Sequence, residues 1–335
     1  MSQAPVYYGE YLQLDKIIHA QEPVSFRPGQ EPAHEEMLFI VIHQAYELWF
    51  KQILFEVDSV AQIMSQPSLN DNAADLERIV HRLKRVDTIL KVLVQQVDIL
   101  ETMTPMQFLE FRDLLRPASG FQSWQFKILE ARLGLKFEDR FGQEYYISQL
   151  QEKERNLIKE AELQPTVMNL LVQWLERMPF LQTTDGSLHP FWQTYRDHYA
   201  ASLADAEKGN MQAFDDIFVH NHPERRLTAT AARSALFIML YRGYPILELP
   251  FQLLDILIEI DNQLGNWRFR HINMVRRMIG TRIGTGGSTG AHYLHGAMEK
   301  HSIFRELSQL NSFLMNKKHI PALPAELEKK LVYQG

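Results

Sequence analysis

The sequence predicts an all-α protein, and three observations carry the prediction. Its 16 glycines and 15 prolines are fewer than average usage gives a chain of 335 residues. Between them lie long windows in which apolar residues recur every three or four positions, the period of a helix with one buried face. No run of alternating β-branched residues competes with those windows as a strand.

The first 33 residues read as an arm, in which Tyr7, Tyr8 and Tyr11 precede the polar stretch Gln21 to His34. Aromatic residues with polar tips suit a self-docked cap or an arm exchanged with a neighbour. From His34 to about Ser65, Leu38, Ile42, Ala45, Trp49, Leu54, Val57 and Val60 follow helical steps, which predicts roughly 45 Å of helix. A second long helix is expected from Ala73 to Met103, on Leu76, Ile79, Leu83, Val86, Leu90, Leu93 and Val97. Thr104-Pro105-Met106-Gln107 then sets a capping Thr before a Pro at the first helical position and a Gln at the third, a capping-box signature. That helix ends before a loop at Arg116-Pro117-Ala118-Ser119-Gly120. Further helices are predicted at 121–133, 166–178, 190–207, 228–242, 250–279 and 300–315, with Asp185-Gly186 and Gly243-Tyr244-Pro245 as punctuation. The most polar stretch, Gln149 to Gln164, reads as a solvated helix or excursion. With few linker signals, residues 1–335 are expected to form a single large bundle-like domain, with a small polar helical subregion at about 139–225 as its periphery.

Composition narrows the chemistry. A net charge of −6 leaves no Lys/Arg surplus to neutralise phosphates, which argues against nucleic acid or an anionic membrane surface as a partner. The absence of cysteine excludes disulfides, iron–sulfur clusters, thiolate nucleophiles, Cys-ligated zinc, thiolate haem and covalent c-type haem. Any metal chemistry must run on His, carboxylate, Tyr or Met. The N-terminus carries no basic and apolar leader, and no stretch reaches about 18 uninterrupted apolar residues, so a cytoplasmic location is expected.

Among 13 histidines, the pairs His220/His222 and His292/His295 have ligand-like spacing, yet no HExxH occurs and no carboxylate joins either pair. His43 and His271 stand differently. His43 shares a stripe with Phe39, Tyr46 and Phe50; His271 shares one with Leu264, Trp267, Met274, Val275 and Met278. An imidazole so placed either bonds an acceptor within a core or faces a large cofactor. Arg112, one turn after Phe108, needs an anion to offset its desolvation, either a carboxylate on a neighbouring helix or that of a substrate. The segment from Gly280 to Gly290 is neither a dinucleotide fingerprint nor a P-loop. It reads as a hydroxyl-rich loop that closes over an anionic or zwitterionic ligand or caps the helix ending at Ile279.

Several segments together resemble the tryptophan 2,3-dioxygenase family: Tyr8 to Leu14, His43 to Gln52, Leu100 to Thr104, Phe111-Arg112, Pro117 to Ser123, Trp267-Arg268, His271, and Gly284-Thr285-Gly286-Gly287-Ser288. The resemblance covers nearly the whole chain. It implies an all-α domain enclosing haem b, one per subunit and ferrous when active, assembled as a homotetramer. The activity implied is insertion of both atoms of O₂ across the indole C2–C3 bond of L-tryptophan to give N-formyl-L-kynurenine, the first step of the kynurenine pathway. Carried over by residue, His271 becomes the proximal iron ligand and His43 the distal residue that accepts the indole N–H. Arg112 takes the substrate carboxylate, and Thr285 holds the ammonium and carboxylate end. Phe39 and Phe108 wall the indole, and Ser119 and Trp267 lie beside the haem. Tyr8 and Tyr11 line the pocket from a neighbouring subunit. Leu114 and Trp124 depart from the family pattern without removing a named group. Two alternatives stand beside this reading: a haem enzyme of the same fold acting on a modified indole, and a helical interaction protein whose buried His and Arg are structural.

Overall fold

The computed structural model describes residues 5–67, 69, 74–140, 143–178, 188–282, 296 and 300–332. Among them there is no β-strand, and helix accounts for the architecture. Two short helices, α1 (Tyr8–Leu12) and α2 (Leu14–Ile18), open the chain. They precede the long α3 (Glu35–Met64) and α4 (Ala74–Leu100), which match the two longest predicted windows to within a few residues. The predicted stripe of α4, Leu76, Ile79, Leu83, Val86, Leu90, Leu93 and Val97, is buried throughout, with Val80, Asp87, Ile89 and Leu100 buried beside it.

Helix α5 (Pro105–Phe111) begins with the expected capping box, Thr104 accepting from the Gln107 N–H while the Gln107 side chain accepts from the Thr104 N–H. It gives way to a tighter turn at Arg112–Leu115. Helix α6 (Trp124–Leu133) starts later than predicted, because Ser123 takes the cap and residues 120–122 form a separate turn. It stops at Gly134, where φ is +133° and a Cβ would stand 2.6 Å from that of Met168. There follow α7 (Gln143–Ser148), α8 (Glu152–Glu162), α9 (Val167–Glu176), α10 (Pro190–Ser202), α11 (Asn210–Phe218) and α12 (Ala229–Tyr241).

Helix α13 (Pro245–Ile279) begins five residues before the predicted start at 250. Pro245 occupies the first helical position, where its missing N–H would be unpaired anyway, whereas Pro250 lies in the second turn and leaves the Ile246 carbonyl without its intrahelical donor. The predicted helix at 300–315 is shorter, confined to α14 (Arg305–Gln309) and a 3₁₀ turn. Asp261 on α13 explains this, since its carboxylate accepts the N–H groups of Ile303 and Phe304 and the Ser302 hydroxyl, holding that backbone out of a helix. Helix α15 (Ala325–Leu331) ends the described chain.

Helix α4 packs along both α3 and α13, and α6 crosses α3. Their apolar faces form the main core with α9 to α12, which contribute Trp174, Trp192, Tyr195, Tyr199, Phe214 and Phe218. The polar helix α8 buries only Ile158 and Ala161, and Ile158 joins Tyr146 and Leu150 in a small separate cluster. A third cluster, around Ile42, Leu100, Met103, Phe111, Met274 and Met278, lies where α3, α4, α5 and the end of α13 meet. This division of the core positions the site, because a cavity lies bordered by residues of all three clusters.

Candidate functional site

The cavity has a volume of about 230 Å³ and mostly apolar walls. Helix α3 contributes Phe39 and His43, one turn apart; α5 and the turn after it contribute Phe108 and Arg112. The loop before α6 adds Ser119, and α13 adds Trp267, His271 and Met274. Phe39 stacks on Phe108 with ring centres 5.7 Å apart to wall the cavity, and Phe111, buried behind them, meets Phe108 edge-on at 5.4 Å. Arg112 is buried, 5% exposed, at the rim of that wall.

The two histidines are electrostatically distinct from ordinary surface imidazoles. Burial, with the nearby His43 adding to it, pushes the His271 pKa down to about 4. Burial also lowers that of His43, against the opposing influence of the Phe39 carbonyl and Glu47. Both rings are therefore neutral at pH 7. The Phe39 carbonyl lies 2.6 Å from His43 Nδ1, and a carbonyl only accepts, so Nδ1 carries the proton and Nε2 keeps its lone pair. His271 Nδ1 is buried without a hydrogen-bond partner, and the ring stacks on Trp267 at 5.1 Å.

Seven residues singled out in the sequence thus share one cavity: Phe39, His43, Phe108, Arg112, Ser119, Trp267 and His271. Tyr8 and Tyr11, 73% and 74% exposed, stand on the arm and do not line the cavity of their own chain. Thr285 lies outside the described residues, as do His292 and His295. The pair His220/His222 gathers no metal-binding group among the described residues.

With this geometry in view, comparison with known proteins is decisive. The family model described as tryptophan 2,3-dioxygenase matches residues 1–217 and 207–314. A tryptophan 2,3-dioxygenase of Alteromonas mediterranea is 45% identical, the alignment covering 98% of this chain and 97% of that protein. That of Dictyostelium discoideum is 42% identical over 98% of this chain and 89% of its own, and that of Bdellovibrio bacteriovorus 38% identical over 99% of each. The chain belongs to the tryptophan 2,3-dioxygenase family. No helix among its described residues is long and apolar enough to cross a membrane.

Beyond the residues the sequence singled out, the cavity wall holds a buried ionic cluster. Glu130 on α6 accepts from Arg140 Nη1 at 2.6 Å and from Arg268 Nη2 at 2.7 Å, with His301 Nδ1 3.5 Å away. Burial pushes the Glu130 carboxyl up, yet Arg140, His301 and Arg268 together hold it well below the usual carboxylate range. Lys127, one turn earlier on α6, is also buried. In sequence, Lys127 and Glu130 look like the solvated face of a short helix. Only the approach of Arg268, 138 residues away, reveals their burial.

Proposed function

We propose that the chain is a haem-dependent tryptophan 2,3-dioxygenase. It inserts both atoms of O₂ across the indole C2–C3 bond of L-tryptophan, giving N-formyl-L-kynurenine at the entry to the kynurenine pathway. Family membership supports the activity, and the observation that carries the haem reading is His271. An imidazole kept neutral by burial, with a ring nitrogen unpartnered and an apolar cavity beside it, is the donor chemistry haem iron takes from a protein. In this reading His271 is the proximal ligand, Trp267 stacks against it, and Ser119 stands at the haem edge. The haem supplies the dioxygen chemistry.

The chain's own residues bind and orient the indole. Arg112 pairs with the substrate carboxylate through two N–H donors, a charge-assisted contact that fixes one end of the amino acid. Phe39 and Phe108 wall the ring and exclude water. His43 Nε2 accepts the indole N–H, and the Phe39 carbonyl on Nδ1 prevents the ring from offering a proton there instead. Two fixed contacts at opposite ends of the substrate leave C2–C3 little positional freedom, which is how an entropic barrier is lowered. Thr285 is assigned the ammonium and carboxylate end by family likeness. A cytoplasmic homotetramer with arms reaching into neighbouring cavities completes the reading. The exposure of Val6, Tyr7, Tyr8 and Tyr11 supports it, since an apolar arm of this kind calls for a covering surface.

Incubation of the purified protein with L-tryptophan under isotopically labelled O₂ tests the activity: the formylkynurenine carries both labelled atoms. Product bearing one label, or turnover only of a substituted indole, overturns the assignment. His271→Ala tests the ligand, and the expected result is protein that loses the intense near-ultraviolet haem band. A normal band with full turnover excludes His271 as proximal.

A further inference from the structure

The ionic cluster on the cavity wall does not balance. Arg140 and Arg268 each hold one oxygen of Glu130, and Arg140 also faces Glu162, which accepts from the Tyr146 hydroxyl at 3.4 Å. Both guanidinium groups therefore have carboxylates. Lys127 has none: among the described residues its Nζ makes no salt bridge, and its one recorded contact is the face of the Tyr146 ring, 4.9 Å to the centre. Arg140 covers the same ring at 3.9 Å, so two cations contact one aromatic ring.

Lys127 is 7% exposed and lines the cavity. Burial and the neighbouring Arg140 lower its pKa, with Glu130 opposing, to about 8. The side chain is thus still largely ammonium at pH 7, a buried charge beside a cavity; Glu130 influences it through space, but no carboxylate among the described residues engages it in a salt bridge. A buried charge without a partner is costly, and a chain that keeps one at the wall of a cavity draws the compensation from what fills the cavity.

We infer that Lys127 anchors a carboxylate of the cavity's occupant, and, on the haem reading above, one of the two carboxylates at the porphyrin edge. Glu130 positions it from a distance, because by engaging Arg140 and Arg268 it keeps both guanidinium groups turned to itself and leaves the ammonium as the unclaimed cation. Lys127 thereby contributes to holding the cofactor without touching the indole or its amino-acid end. Its loss shows as faster cofactor release.

The experiment measures haem loss from the loaded protein to excess apomyoglobin, comparing wild type, Lys127→Gln and Lys127→Arg, each loaded with haemin or with haemin dimethyl ester. A charge-assisted contact to a carboxylate predicts release of haemin at least about tenfold faster from Lys127→Gln, with Lys127→Arg within about threefold of wild type. The ester has no carboxylate, so it should leave all three proteins at rates within about twofold of one another. Haemin leaving Lys127→Gln no faster than wild type overturns the proposal, as does an equal acceleration of the ester, which would mean the substitution merely loosens the wall. Wild-type protein that takes up neither haemin nor its ester overturns the haem reading itself and this inference with it.

Discussion

Replacing Glu130 by Gln probes the buried cluster most directly. The substitution keeps the side-chain shape and one acceptor oxygen but removes the charge that offsets Arg140 at 2.6 Å and Arg268 at 2.7 Å, all three residues being under 5% exposed. Removing one partner of a buried ion pair costs roughly 3–5 kcal/mol. An unfolding entropy of about 2.1 cal/mol/K per residue gives this 335-residue chain ~0.7 kcal/mol/K, so the melting temperature should fall by about 4–7 °C. The contrasting variant is Asp58→Asn. Its partner Arg132 lies at a similar 2.7 Å, but Asp58 is 58% exposed. Water screens that pair to at most about 1 kcal/mol, or ~1 °C. Thermal unfolding followed by circular dichroism measures both.

The pH dependence of the Glu130 effect has a definite sign. Its folded pKa lies well below the ordinary value, so its stabilisation is complete above the unfolded pKa of about 4.3 and is lost as pH falls through the folded one. The gap between wild type and Glu130→Gln should stay constant from pH 8 to about 5 and close only in stronger acid. A variant melting within ~1 °C of wild type at pH 7, or a gap that closes near neutrality, refutes the reasoning.

Other outcomes follow from the cavity and the arm. Arg112→Leu should keep its haem and raise KM for tryptophan by at least about tenfold, while indoles lacking a carboxylate are nearly unaffected; equal losses for both would remove the carboxylate clamp. His43→Ser forfeits one neutral hydrogen bond and should lose about two- to tenfold in kcat/KM, whereas turnover below detection would make the imidazole an obligate proton acceptor. Since burial lowers the His43 pKa, any limb from this residue in wild-type kcat/KM should lie on the acid side of the ordinary imidazole range, and a limb above that range that vanishes in His43→Ser would contradict the neutral ring. Deleting residues 1–14 should spare the haem, raise KM and weaken the tetramer together, as sedimentation and steady-state kinetics would record. A tetramer with unchanged KM would place Tyr8 and Tyr11 outside the site.

Much of this architecture is legible in the chain because its long helices are single-period. The stripe of α4 declares both the element and its buried face, and the Thr104–Gln107 box declares the start of α5. The stripe of α3 declares the element but only part of the face, since Ile42, Val57 and Val60 are buried while Trp49 is exposed and Phe50 and Ile53 take the core instead. His43 and His271 were conspicuous as polar residues on apolar stripes, and the structure brings both to one cavity. What eluded the sequence depends on partners remote in the chain. The helix expected at 300–315 has no local reason to stop short; the reason is Asp261, some 40 positions earlier, which claims the backbone donors of Ile303 and Phe304. Lys127 and Glu130 were invisible on similar grounds. Nothing in a decamer with charges at its third-residue spacing says that an arginine from α13 will cover it.

The root of the N-terminal arm is fastened to the helix that carries His43. Fully buried Glu36 accepts the N–H groups of Val24 and Ser25 at 2.7 and 2.8 Å, the Ser25 hydroxyl accepts from the Ala33 N–H, and Gln44 donates to the Ala20 carbonyl. Everything before that knot is a leash of calculable length. From Tyr8 to Pro23, the ten residues of α1 and α2 rise about 1.5 Å each and the other six span at most about 3.3 Å each, so the tyrosines stay within about 35 Å of Glu36. A domain of this size has a radius of gyration of about 20 Å, so in the proposed tetramer the leash would reach the near face of one adjoining subunit and no farther. In that tetramer, an arm held within this radius would meet a neighbouring cavity at the high effective concentration of a tethered ligand. Lengthening the leash between Ile18 and Pro23 would dilute that encounter while leaving every residue that lines the cavity in place.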